Sequence, residues 1–233
     1  MPAMRAAPAR RRGDTPRHCP VSVTEPTSRS IDPSAPDAPD DAPAAPAPDA
    51  RLRTLAEIHT AIWQQLALAA QDRSHAWRTP VLATADADGL PDARTLVLRE
   101  VQPAARQLTL YTDARSAKVL QLQARPQGRL VCWSPALGWQ LRIRLAMQVQ
   151  DDGLAVTSRW VRLRASPAAR DYLSPLPPGA PVGGAPPSPA GAQRHHFAVL
   201  QGLVQSIDWL ELHAAGHRRA CFDAAGDGVW LTP

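Results

Sequence analysis

The chain has 233 residues, 44% hydrophobic and 20% charged, with a formal net charge of +5. That length suits one substantial domain with a tail, and a core of about 180 residues buries roughly 70% of its unfolded surface without staples. Three scattered cysteines (Cys19, Cys132, Cys221) make neither a CxxC metal pattern nor an even disulfide set, which argues against zinc and for a reducing compartment.

The charge is unevenly placed. Arg5, Arg10, Arg11, Arg12 and Arg17 face only Asp14 in residues 1–18, so +4 of the +5 lies there and about +1 is left for the rest. A basic tail on a nearly neutral domain is not a nucleic-acid face, and no nucleic-acid partner is expected. No apolar run approaches the roughly 18 residues of a membrane helix. No apolar stretch follows the first arginines as in a secretory signal. The Arg- and Ala-rich start mimics an organellar transit peptide, but the scarcity of lysine reads as a coding bias, and a cytoplasmic protein is expected.

The first 50 residues hold eleven prolines and almost no large apolar side chains. Such a segment buries too little surface to offset its ordering entropy, so 1–50 is read as a disordered tail and 51–233 as the domain. Thr54-Leu55-Ala56-Glu57 is a capping box, and Leu55, Ile58, Ile62, Leu66 and Ala69 follow at helical spacing. Strands are predicted at 79–85 and 94–99 around the turn signal Asp88-Gly89, then at 108–112. Ser116 is placed to cap a short helix over 117–124 that ends before Pro126. A strand over 130–133 precedes the clearest one, Trp139 to Val149, where apolar side chains occupy every odd position. Helices over 158–165 and 168–173 lead into a Pro-rich loop from Pro175 to Pro189. Strands over 197–205, 207–213, 218–222 and 229–231 complete an α+β antiparallel barrel.

Chemistry is sought first in what is missing: the sequence has no Gly-rich phosphate loop, no HExxH and no GxSxG. His195 and His196 are adjacent, so on a strand they face opposite ways and chelate poorly. No metal site is expected. More informative is Arg94-Thr95-Leu96-Val97-Leu98-Arg99, followed by Tyr111-Thr112 and by Ser116 and Lys118 at a helix start. A helix N-terminus with free N–H groups suits a phosphate dianion, a lysine adds mobile charge and an arginine a forked donor. Lys118 is the only lysine beside 25 arginines.

The run from Thr84 to Arg99, then Leu110 to Lys118, then Trp139-Gln140-Leu141-Arg142, resembles the pyridoxamine 5'-phosphate oxidase-like FMN-binding split-barrel family in order and spacing. The ending, Asp208-Trp209-Leu210, His217 to Ala220 and Trp230 to Pro233, resembles that family's last strands. The resemblance implies a split β-barrel with FMN at a homodimer interface. It assigns residues 94–99 to the strand beside the flavin, Tyr111 and Thr112 to the next wall, Ser116 and Lys118 to the phosphate, and Gln140 to the ring from the partner subunit. Tyr172 and Arg218 are what it leaves for a substrate, while Leu176, Ala180 and Ala220 stand where the oxidase branch has polar grips. Arg99 is the candidate for stabilising a reduced flavin or orienting a substrate anion.

An FMN-dependent oxidoreductase of unknown substrate is therefore expected, nearer to the family's uncharacterised FMN-binding branch than to a vitamin B6 oxidase. Three alternatives stay open. One is a genuine pyridoxamine or pyridoxine phosphate oxidase in which Arg162, Arg164 or Arg170 replaces the missing grip. Another is a flavin- or haem-binding module without catalysis. The last is a nucleic-acid binder that works through its tail.

Overall fold

The computed structural model describes residues 51–184 and 196–233. The expected disordered tail, His195 and part of the Pro-rich loop lie outside them. Helix α1 (Leu55–Gln71) starts on the expected capping box: Thr54 accepts from the Glu57 amide while the Glu57 carboxylate accepts from the Thr54 amide. Its apolar stripe, Ile58, Ile62, Leu66 and Ala69, is buried against the sheet.

Among the described residues nine antiparallel strands follow: β1 (Val81–Ala85), β2 (Pro91–Thr95), β3 (Leu98–Gln102), β4 (Gln107–Asp113), β5 (Gln127–Ser134), β6 (Trp139–Gln150), β7 (Phe197–Glu211), β8 (Arg218–Phe222) and β9 (Gly228–Leu231). They pair in the order β2-β1-β5-β6-β7-β4-β3, with β8 on β7 and β9 on β8. Helix α2 (Ala117–Ala124) lies between β4 and β5 in sequence, and α3 (Gly153–Leu163) follows β6. This is the expected α+β split barrel.

Two strand assignments need correction. The single strand expected over 94–99 is broken at Leu96-Val97, because β2 pairs with β1 at one end of the sheet and β3 with β4 at the other. Consecutive residues therefore turn a corner, where the Leu96 amide bonds to the Pro80 carbonyl at 3.0 Å. The two strands expected over 197–205 and 207–213 are one strand with a bulge. Arg144 faces Ser206 but Leu145 faces Val204, so Gln205 is the extra residue. Buried positions change from even (Leu200, Gly202, Val204) to odd (Ile207, Trp209, Glu211) across it, and that phase change mimics a break in the sequence. The helix expected over 158–165 starts earlier, at Gly153, whose φ of +81° lets the chain reverse sharply out of β6. The segment expected to be helical over 168–173 is a 3₁₀ turn, Pro167–Tyr172.

The main core fills the barrel with Leu82, Leu98, Leu110, Leu141, Ile143, Leu145, Trp77, Trp139 and Trp209, closed by α1. Trp139 stands edge-on to Trp209 at 5.4 Å. A smaller cluster, Val156, Tyr172, Phe197 and Val199 with Tyr111 and Trp160, lies under α3.

Glu211, 5% exposed, ties the far end of β7 to the chain ahead of α1. It accepts from Arg51, Arg218 and the Trp139 indole. Burial pushes its carboxyl upward, but the bonds from Arg218, Arg51 and Trp139 outweigh that and hold it below 4.5. Glu211→Ala strands two guanidiniums and is expected to cost about 3 kcal/mol, read as a lower urea midpoint. A depressed folded-state pKa gives stability that is present above the unfolded value and lost as pH falls through the folded one. Glu211→Gln should therefore flatten the acid limb of the stability curve below pH 4.5.

Candidate functional site

Three of the residues singled out in sequence, Thr112, Ser116 and Lys118, meet at the start of α2. Strand β4 ends in Thr112 and Asp113, both buried, and a tight turn then delivers Ser116, which is 2% exposed. Ser116 sits at the N-cap position, but its side chain does not cap: Oγ donates to the Asp113 carbonyl at 2.8 Å and lies 3.2 Å from Thr112 Oγ1. Lys118 Nζ donates to Thr112 Oγ1 at 3.1 Å. Among the described residues no carboxylate stands within ion-pair distance of Lys118. Burial, then the neighbouring Arg94, lowers its pKa, opposed by Asp113 and Asp92.

Arg94 reaches this group from β2. It donates to Thr84 Oγ1 at 2.6 Å, the Leu82 carbonyl at 3.3 Å and Gln121 Oε1 at 3.2 Å, and pairs with Asp92. Thr84 and Gln121 therefore stand beside Arg94; Thr84 opens the run that carries the family resemblance, and nothing in the sequence position of Gln121 marked it. The same holds for Arg115. It forks onto Asp113 and donates to the carbonyls of Ser174, Pro175 and Leu176, which fastens the segment after the 3₁₀ turn to the β4–α2 corner. Sequence offered no signal for this, because the partners lie about sixty residues away.

The neighbouring wall is aromatic. Tyr111 stacks edge-on with Phe197 at 4.9 Å, and the Arg99 guanidinium lies 5.4 Å from the Tyr111 ring. The Tyr111 hydroxyl donates to Glu100 at 3.0 Å, and burial, then the Glu100 charge, pushes it up to about 12. Arg99 is the extra residue of a bulge between β3 and β4, since Leu98 faces Leu110 and Glu100 faces Thr109. Bulges re-aim a side chain out of the pleat. Thr95 ends β2, Leu96 packs against the core, Val97 lines the cleft beside Arg99, and Leu98 is wholly buried.

Gln140 and Arg218 stand apart from this group, while Tyr172 belongs to its aromatic wall. Gln140 lies on the face of β6 opposite to Trp139 and Leu141 and makes no side-chain hydrogen bond with the others. Tyr172 is 5% exposed and packs edge-on against Phe197 and Trp160. Burial raises its phenol, and the Arg99 charge pulls the other way. Arg218 is engaged elsewhere: it pairs with Glu211, donates to the Leu52 carbonyl, and lies against Trp209 and Trp230. Its guanidinium therefore already has a structural post at this end of β8. The His196 amide donates to the Tyr172 carbonyl, and no group of His, Cys, Asp and Glu among the described residues could hold a metal ion.

The family model for the pyridoxamine 5'-phosphate oxidase FMN-binding domain matches residues 60–151, the stretch that carries β1 to β6 and α2. The pyridoxine/pyridoxamine 5'-phosphate oxidase of Caulobacter vibrioides is 30% identical over 167 residues, covering 65% of this chain and 72% of that protein. The chain belongs to the pyridoxamine 5'-phosphate oxidase family. A pyridoxamine 5'-phosphate oxidase-related, FMN-binding protein of Nostoc punctiforme matches at a TM-score of 0.60 and 28% identity, over 75% of this chain and 96% of that one. PhzG of Burkholderia lata matches at a TM-score of 0.62 and 17% identity, over 79% and 98%, a likeness of fold alone.

Within this family member, Lys118 is the one lysine in the sequence, so its titration is directly visible. After ¹³C-methylation of amines, the lysine resonance is expected to titrate with a midpoint below 10.5. A midpoint at or above 10.5 would show that Lys118 is not desolvated beside Arg94.

Proposed function

We propose that the chain is an FMN-dependent oxidoreductase that holds FMN at a homodimer interface. The observation that carries this reading is the group at the start of α2 in which half-buried Lys118 meets buried Thr112 and Ser116, a cationic and hydroxyl donor set with no carboxylate at ion-pair distance from the lysine among the described residues. That chemistry fits a phosphate dianion: the helix start offers unpaired N–H groups, and Lys118 and Arg94 offer charge. Ser116 and Lys118 would hold the phosphate, residues 94–99 with Tyr111 and Thr112 would wall the ring, and Gln140, unbonded on the outer sheet face, would serve the partner subunit's site. FMN when bound supplies two-electron redox chemistry, and the protein supplies position and electrostatics. Arg99, with a buried Nε that lacks a hydrogen-bond partner, is the residue suited to orient an anion beside the ring.

A narrower reading, a true pyridoxamine or pyridoxine phosphate oxidase, is favoured by the name of the Caulobacter relative. Against it stands the engagement of Arg218 with Glu211. Formation of pyridoxal phosphate from either reduced vitamer, assayed with added FMN, decides between them.

The first test of the broader reading is the visible spectrum of the protein after FMN addition, for wild type and Lys118→Ala. Loss of one charge-assisted bond worth about 1.5–3 kcal/mol should weaken FMN roughly ten- to a hundred-fold. No flavin in either protein with FMN in excess would sink the reading. Affinity should also depend on pH at both ends. It should fall in acid as the phosphate loses its second charge near about 6. In base it should fall as pH rises through the lowered Lys118 pKa, earlier than 10.5 would give. Arg99→Ala should lower turnover on any accepted substrate, and unchanged turnover would remove Arg99 from the site.

A further inference from the structure

A carboxylate stands where a phosphate site can least accept one. Asp113 ends β4 directly after Thr112 and is 6% exposed. Its backbone carbonyl accepts from the Ser116 amide at 3.1 Å and from the Ser116 hydroxyl at 2.8 Å, so the residue is built into the corner that starts α2. A negative charge there is attracted by the same free N–H groups that suit a phosphate, and it repels a phosphate brought beside it. Its charge also reaches Lys118, where it works against the lowering of the lysine pKa by burial and Arg94.

Arg115 answers that charge. Its backbone amide and its Nε donate to Asp113 Oδ1 at 2.8 and 3.1 Å, and its Nη2 donates to Oδ2 at 2.8 Å. One residue therefore meets both carboxylate oxygens, in the forked geometry that suits a guanidinium. The hydrogen bond to Asp113 raises the Arg115 pKa against the opposing effect of burial, and the Asp113 charge adds to it. Among the described residues Arg115 makes no hydrogen bond to Thr112, Ser116 or Lys118.

The same pattern recurs on the other side of the lysine. The remaining charged groups that act on Lys118 are Arg94 and Asp92, both from β2, and they pair with each other. Each carboxylate near Lys118 thus has an arginine of its own, Asp92 with Arg94 and Asp113 with Arg115. Lys118 is left to donate to the Thr112 hydroxyl.

We propose that Arg115 is a positioning residue of the phosphate site: by taking both oxygens of Asp113 it cancels a buried negative charge at the start of α2 and keeps Lys118 available to an incoming phosphate. The proposal rests on the flavin reading for the identity of the anion. Arg115 also fastens residues 174–176 through the Ser174, Pro175 and Leu176 carbonyls, and the two roles differ in whether charge alone restores the loss.

The test combines FMN titration of the full chain, read in the visible spectrum, with the ¹³C resonance of methylated Lys118. Arg115→Met removes the compensating charge, so FMN should bind roughly ten-fold more weakly. The Lys118 midpoint should rise above that of the wild type in the same variant. Asp113→Asn/Arg115→Met removes both charges, and FMN affinity should return to within about three-fold of the wild type. Its lysine midpoint should fall back below that of Arg115→Met. Arg115→Lys keeps the charge without the fork, and should lose less than Arg115→Met; the spectrum alone reads it, because it adds a second lysine. Wild-type affinity in Arg115→Met, no recovery in the double variant, or an equal loss in Arg115→Lys would each overturn the proposal. If Arg115→Met does not fold, the double variant, which strands no buried charge, is compared with the wild type, and a loss of about ten-fold there overturns it. A wild type that takes up no FMN sinks the flavin reading by itself. The Lys118 midpoints then judge the charge balance alone, and an unchanged midpoint in Arg115→Met overturns it.

Discussion

Strand β7 carries on one edge a task that a single strand rarely has. Its first half pairs with β4 and its second half with β8, while β6 runs along the whole of its other edge. Two neighbours on one edge must diverge, and the Gln205 bulge lies between the two paired stretches, where the added twist is needed. The split of the barrel follows from this fork. So does the position of β4, whose end launches the turn into α2 and sets the Thr112–Ser116–Lys118 group.

Many of the arginines in this molecule are spent on carboxylates. Glu211 gathers Arg51 and Arg218, Asp208 gathers Arg142 and Arg219, and Glu100 takes Arg159. These pairs are partly buried, and they fasten β6 and β8 to β7, α3 to β3, and the chain ahead of α1 to β7. Lys118, at the α2 start, has no carboxylate within ion-pair distance among the described residues although burial lowers its pKa, and it lies where the proposed function puts the phosphate. A partly desolvated cation without a counter-ion is poised to meet an anion from outside.

Much of the fold was legible because local rules acted without interference. The capping box at Thr54 placed α1, alternation over Trp139 to Val149 placed β6, and Pro126 ended α2. The misreadings occurred where tertiary pairing overrode local pattern. Residues 94–99 look like one strand because nothing local shows that their partners sit at opposite ends of a sheet. Residues 197–211 look like two strands because a bulge shifts the alternation by one.

By itself the sequence determined most element types, the family likeness and the clustering of hydroxyl and cationic residues at the start of α2, because capping, periodicity and charge act over a few neighbouring residues. Only the tertiary structure decided which arginines are committed. Arg218 and Arg99 look alike in sequence, yet one meets Glu211 across a strand pair and the other is turned out by a bulge. Pairing depends on contacts between residues far apart in the chain, and those exist only once the barrel has closed.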